Sequence, residues 1–162
     1  MNDYISQAIE IINYNYLDHR AESAAMEVMN NAFDPAYGEA WTAAQLSSFM
    51  SLPGVTLSLA RLDNACLGFT LSRQILDEAE LLLIATHPRW QKRGVGKLLL
   101  EAFISASRKS RIETIHLEVR DNNPALEFYS KHGFECIHRR PSYYKGKDGT
   151  YYDALSFQLI LR

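Results

Sequence analysis

The sequence predicts one mixed α/β domain, and three observations carry that reading. Apolar residues alternate with a period of two over several short stretches, they recur at helical spacing over longer ones, and the two kinds of stretch are interleaved. At 162 residues, 47% hydrophobic and 22% charged, the chain can bury a core and has the composition of a soluble globular protein.

Ile9 to Tyr14 reads as a short first strand. Asp18 is placed to cap a helix whose small and apolar stripe is Ala21, Ala24, Ala25, Val28, Met29 and Ala32. Thr42 and Gln45 form a capping-box pattern for a second helix that ends before Pro53-Gly54. Val55 to Arg61 alternates as a strand, Asp63-Asn64 supplies a turn, and a further strand runs from about Cys66 to Ile75. A second turn at Asp77-Glu78 leads to the apolar run Leu81 to Ala85, too short for a helix and continuous enough for a central strand buried on both faces. The longest helix carries Val95, Leu98, Leu99, Ala102, Phe103 and Ala106 on its packed face, with Lys97, Glu101 and Ser105 turned away. In Thr114 to Arg120, Ile115, Leu117 and Val119 share one face and His116, Glu118 and Arg120 the other. Asn123 as N-cap with Pro124 at the first position opens a short helix that Gly133 closes. Alternating segments near Phe134 to Arg139 and Tyr152 to Leu161 finish the chain. Hairpins together with helical crossovers imply a mixed sheet. No internal repeat or linker appears, so residues 1–162 are read as a single domain.

The bulk numbers narrow the function. A net charge of −2 provides no global attraction to nucleic acid or an anionic membrane, so neither is expected as a partner. Met1-Asn2-Asp3-Tyr4 lacks the basic and apolar regions of a signal peptide and no stretch reaches the length of a membrane span, which together predict a cytoplasmic protein. Cys66 and Cys136 make no disulfide framework and are expected as small core residues. His19, His87, His116, His132 and His138 fall in no metal-ligand spacing, so no metal is expected.

The stretch that speaks to chemistry is Gln91-Lys92-Arg93-Gly94-Val95-Gly96-Lys97, between the apolar strand and the long helix. Its two glycines let successive N–H groups turn toward one point, and the helix that follows adds unpaired amides and a positive dipole end. Such a nest suits a diphosphate, and Lys92, Arg93 and Lys97 surround it with positive charge. The Walker A pattern fails because Leu98 follows Lys97, and the dinucleotide fingerprint fails because Leu99 stands at its third glycine. An ordinary strand-to-helix turn with solvated cations is the competing reading.

From about residue 80 to 154 the sequence resembles the GNAT superfamily of acyl-CoA-dependent N-acyltransferases. Gln91 to Gly96 is similar to the family's Q/R-x-x-G-x-G/A loop, and Asn122 to Phe134 to its N-x-x-A-x-x-x-Y-x-x-x-G-F stretch. Within the family the resemblance is to the RimI-type ribosomal-protein alanine N-acetyltransferases. Leu117-Glu118-Val119-Arg120 resembles their L-E-V-R strand, and Arg139-Arg140-Pro141-Ser142-Tyr143-Tyr144 with Asp153-Ala154 resembles their R-R-x-x-Y-Y…D-A ending. Phe33 to Thr42 stands where that group has a shorter F-P-W-S-like segment beside the acceptor cleft.

The resemblance implies acetyl-CoA as cosubstrate, held by Gln91, Lys92, Arg93, Gly94, Val95, Gly96, Lys97 and Asn122 and by the backbone of Ile84, Ala85 and Thr86 on a strand that splays from its neighbour. Pro88 fits, since it ends ladder pairing just beyond. Acyl transfer to an amine needs a neutral amine, a polarised carbonyl and a proton for the departing thiolate. Glu118, on the polar strand face, is able to take the ammonium proton, and Tyr129, a phenol with an ordinary pKa near 10, is able to protonate the thiolate. On the residues alone a solvated strand glutamate and a core tyrosine are open alternatives, and the resemblance assigns them as base and acid. It also implies that Tyr143 and Tyr144 clamp an incoming peptide N-terminus, where hydrophobic cover for the last hairpin is the other reading. His87 and His116 are left outside the catalytic pair.

The expected function is therefore transfer of acetyl from acetyl-CoA to a protein N-terminal α-amine, of ribosomal protein S18 type, in a direct ternary complex, since no Cys or Ser nucleophile stands in a triad pattern. A small-molecule amine or antibiotic acetyltransferase and a catalytically silent acyl-CoA-binding module are the alternatives. Both a monomer and a homodimer fit the terminal strands.

Overall fold

The computed structural model describes residues 8–161, so the expectation for Met1 to Tyr4 lies outside the described residues. Seven strands form one sheet in the order β1-β2-β3-β4-β5-β7-β6. They are β1 (Glu10–Tyr14), β2 (Val55–Leu62), β3 (Ala65–Ile75), β4 (Glu78–Thr86), β5 (Thr114–Arg120), β6 (Glu135–Lys145) and β7 (Tyr151–Ile160). Every pairing is antiparallel except β4 with β5, where the crossover helix returns the chain in parallel. The expected mixed sheet is thus present.

Helices α1 (His19–Ala32) and α2 (Ala43–Met50) cover one face, and α3 (Val95–Lys109) and α4 (Leu126–Lys131) cover the other. Asp18 caps α1 by accepting from the Ala21 N–H at 2.9 Å, and Thr42 and Gln45 complete their capping box on α2. Ala21, Ala25, Val28 and Met29 of α1 pack on Leu57, Leu59, Phe69 and Leu71. Tight approach on the other face depends on Gly68, where a Cβ would stand 2.6 Å from the Ala85 carbonyl oxygen.

Several local expectations are corrected. The packed stripe of α3 is Val95, Leu99, Leu100, Ile104 and Ser107, rotated from the expected face, and Ala106 is exposed; adjacent apolar residues leave the periodicity compatible with either face, and packing on the sheet decides which is covered. Asn123 does not cap α4: its Oδ1 accepts from the Ala125 N–H at 2.8 Å, an Asx turn that delays the helix to Leu126. The β3–β4 turn falls at Leu76-Asp77, with Leu76 at φ +56°. Strand β6 runs to Lys145, beyond Arg139, because a register shift between Arg140 and Tyr144 absorbs Pro141 and Ser142. Cys136 is exposed on this edge strand and Cys66 is only half-buried, so neither is a core residue; burial holds the Cys66 thiol pKa above its ordinary value. Among the described residues no helix is long and apolar enough to cross a membrane.

One irregularity shapes the centre of the sheet. Leu71 pairs with Leu83 but Ser72 with Leu81, so Leu82 is an extra residue, a bulge in β4. The bulge reverses which face the odd residues occupy: Ala79 and Leu81 pack on the α3 side, Leu83 and Ala85 on the α1 side. It also ends the parallel ladder, since β4 meets β5 only at Glu78–Thr114, Ala79–Ile115 and Glu80–His116. Beyond those pairs the sheet is split.

Candidate active site

A cavity of about 1050 Å³ fills the split, reaching from the start of α3 to the inner edge of β5. At one end its walls are backbone. The His87 N–H donates to the Leu67 carbonyl, so by antiparallel alternation Ala85 and His87 bond toward β3 while Ile84 and Thr86 turn their N–H and C=O groups into the gap. Of the three strand residues expected to hold the cosubstrate, Ile84 therefore turns both backbone groups to the gap and Thr86 its N–H, while the Thr86 carbonyl is taken by a side chain of the following turn. Ala85 contributes only lining surface.

The Gly-rich turn closes that end. Gly94, in the left-handed region at φ +83°, is the N-cap residue of α3 and leaves the helix's first amides without side-chain partners. A Cβ on Gly96 would project to 3.6 Å from Thr86 Oγ1 and 3.9 Å from Phe128, so the bare glycine keeps the first turn of the helix open to the cavity. Gln91 donates from Nε2 to the Thr86 carbonyl at 3.2 Å and ties the turn to the strand. Gln91, Lys92, Gly94, Gly96, Lys97 and Asn122 line the cavity; Arg93 and Val95 do not. Arg93 stacks on Trp90 with 5.5 Å from guanidinium to ring, and Val95 is buried with Ala60, Leu67 and Leu99. The donor set, amides and cations about a bare helix start, fits a diphosphate.

At the other end the walls are side chains. Glu118 projects from β5 and Tyr129 from α4 into the same cavity. Tyr129 is buried, and that burial, with the Glu39 carboxylate nearby, pushes its pKa above the ordinary phenol value, so it stays protonated at neutral pH. Tyr144 also lines the cavity; its hydroxyl stands 3.4 Å from Glu118 Oε1, and burial, Glu118 and Glu39 push its pKa up to about 12. Tyr143 is brought to the outside of the wall, its ring edge-on to Tyr144 at 5.1 Å and under the Arg140 guanidinium at 4.2 Å.

Charged residues that sequence reasoning did not single out complete this end. Arg120, buried, donates to Glu39 at 2.7 Å, bonds to Asn122 and lies 3.4 Å above the Tyr37 ring. Arg140 pairs with Glu118. Glu39 and Tyr37 come from the segment that stands in place of the shorter family sequence, and the Lys147 N–H donating to Ala36 at 2.9 Å helps dock it. No local spacing links residues 81 positions apart, as Glu39 and Arg120 are. The available signs were Arg120 on the polar face with Glu118, the position of Phe33 to Thr42 beside the acceptor cleft, and Arg140 in the stretch that ends in Tyr143-Tyr144. The bend that delivers Tyr143 and Tyr144 is fixed by Asp153, which accepts from the Ser142 N–H at 2.9 Å and from Arg139 at 2.6 Å; both bonds hold its pKa below the ordinary carboxylate value. Among the described residues no group of acids, histidines and cysteines is placed to hold a metal.

Comparison with known proteins bears on the family and the fold. Residues 24–134 match the Acetyltransferase (GNAT) family. The chain is 33% identical over 122 residues to the [Ribosomal protein bS18]-alanine N-acetyltransferase of Haemophilus ducreyi, covering 75% of this chain and 83% of that protein. It is 39% identical over 87 residues to the protein of the same name from Haemophilus influenzae, covering 54% of this chain and 60% of the relative, so it spans less than two thirds of that relative's length. The crystal structure of the ribosomal-protein-S18-alanine N-acetyltransferase from Escherichia coli superposes with a TM-score of 0.81 at 27% identity, covering 93% of this chain and 94% of the other.

Proposed function

Because the chain belongs to the GNAT acetyltransferase family, we propose that it moves the acetyl group of acetyl-CoA to the α-amine of a protein N-terminus, as the names of its ribosomal bS18 relatives describe for them. The observation that carries the reading is the placement of Glu118 and Tyr129 in one cavity, beside the unpaired edge of β4.

Each half of the cavity has a task. The amides of Ile84 and Thr86 and the start of α3 hold the cosubstrate, with Lys92 and Lys97 offsetting its phosphate charge. Glu118 takes a proton from the acceptor ammonium, directly or through water. The freed amine forms a bond to the thioester carbonyl carbon as the carbon–sulfur bond breaks, and Tyr129, a neutral phenol at working pH, gives its proton to the departing sulfur; the second proton of the acylated nitrogen then passes, directly or through water, to the Tyr129 phenolate, leaving a neutral amide and restoring the acid. Glu39, Tyr37 and Tyr144 wall the acceptor end. No covalent acetyl-enzyme is needed, and transfer is direct within the ternary complex.

The test is CoA thiol release from acetyl-CoA with a free-amine peptide copying the ribosomal S18 N-terminus, beside the same peptide with its amine blocked. Release with the free amine alone is expected. Release with small primary amines but not with the peptide would move the assignment to a small-amine acetyltransferase.

A further inference from the structure

We propose that Arg140 is a positioning residue for Glu118: it holds one carboxylate oxygen so that the other faces the acceptor amine. The inference rests on Glu118 being the general base of the proposed function. Arg140 donates from Nη2 to Glu118 Oε2, so Oε1 is the oxygen without a cation, and it accepts only a long hydrogen bond, 3.4 Å, from the Tyr144 hydroxyl that lines the cavity. Arg140 is itself steadied from behind by the Tyr143 ring at 4.2 Å, and Tyr143 is edge-on to Tyr144. Glu118, Arg140, Tyr143 and Tyr144 therefore form a closed ring of contacts, three of whose members come from the bent part of β6. That ring explains why Tyr143, which stays outside the cavity, stands where it does.

The charge pattern points the same way. Two carboxylates, Glu39 and Glu118, border the acceptor end, and each has its own guanidinium, Arg120 for the first and Arg140 for the second. The two pairs are unlike. Arg120 is buried with Glu39 on one side and aromatic rings on the other, whereas the Arg140 side chain is 45% exposed on an edge strand and anchors no core residue. An exposed pair of this kind adds little to stability. Its consequence is geometric: a carboxylate free to rotate spends only part of its time aimed at the amine, and a fixed one starts aligned.

The test measures acetyl transfer and acetyl-CoA binding in the wild type, Glu118→Gln, Arg140→Ala and the double variant, with the S18-type peptide and, in a parallel arm, with a small primary amine. Arg140→Ala is expected to lower kcat roughly tenfold, a part of the ~10²–10⁴-fold that a positioned base supplies, with acetyl-CoA affinity and Tm unchanged. In the double variant the loss equals that of Glu118→Gln alone, because an arginine that acts through Glu118 has nothing left to position. Added guanidinium ion restores the Arg140→Ala enzyme but not Glu118→Gln, and equal sodium chloride does neither. A kcat for Arg140→Ala within twofold of wild type, or losses that multiply in the double variant, overturns the proposal while leaving Glu118 as base. No loss in Glu118→Gln overturns the base assignment and the proposal together. Turnover of the small amine alone overturns the peptide reading, and the same four rates in that arm then decide the role of Arg140.

Discussion

The two ends of the cavity are built from different materials. The cosubstrate end is backbone: the Ile84 and Thr86 edge freed by the Leu82 bulge, and the start of α3 bared by Gly94 and Gly96. The acceptor end is side chains held by distant partners: Glu39 by Arg120, Glu118 by Arg140, Tyr144 by the bend that Asp153 fixes. In the proposed function backbone binds groups common to every acyl-CoA, so a short motif is enough to specify it. In that same function side-chain walls decide which amine enters, and they are assembled from segments far apart in the chain.

The contrast can be broken at either end. The largest effect is expected at the acceptor end, where Glu118→Gln should lower kcat by ~10²-fold or more while acetyl-CoA affinity, measured by calorimetry, stays at its wild-type value. At the cosubstrate end Gly96→Val should do the reverse. Its side chain points at the space before Thr86 and Phe128, so acetyl-CoA affinity falls about tenfold or more through loss of close backbone approach, with the melting temperature little changed. Truncating Lys97, an exposed cation on the same turn, should cost only about threefold in affinity, because the amides carry the binding.

Arg120 sharpens the comparison in stability. Replacing it by alanine leaves Glu39 without its cation and Tyr37 without its stacking partner, which should cost about 3 kcal/mol, read as a lower denaturation midpoint. The smallest effect concerns pH. The folded-state pKa of Tyr144 is raised to about 12, above the ordinary phenol value near 10. Its contribution to stability is therefore complete below pH 10 and is lost as pH climbs toward 12, where the unfolded chain ionises first. Urea midpoints measured at pH 9 and pH 11 should fall less in Tyr144→Phe than in the wild type.

The same division explains what was legible in the sequence. Element order, the caps at Asp18 and Thr42, the Gly-rich turn and the face shared by His116, Glu118 and Arg120 depend on residues within a few positions of one another, and these features lie where the sequence predicts them. The Leu82 bulge was not legible, because Leu81 to Ala85 is apolar throughout and carries no alternation that could reveal a reversed face. The packed stripe of α3 was misread for a related reason: Leu98, Leu99 and Leu100 are equally apolar, and only the sheet decides which of them is covered. Glu39 with Arg120, and Arg140 with Glu118, depend on tertiary approach across 81 and 22 positions.

The most direct measurement is single-turnover acetyl transfer by the preformed complex of Glu118→Gln with acetyl-CoA. If backbone holds the cosubstrate and side chains act on the acceptor, the variant binds acetyl-CoA as the wild type does and transfers its acetyl group at least ~10²-fold more slowly. Transfer at the wild-type rate, or loss of acetyl-CoA binding, would contradict that division of the cavity.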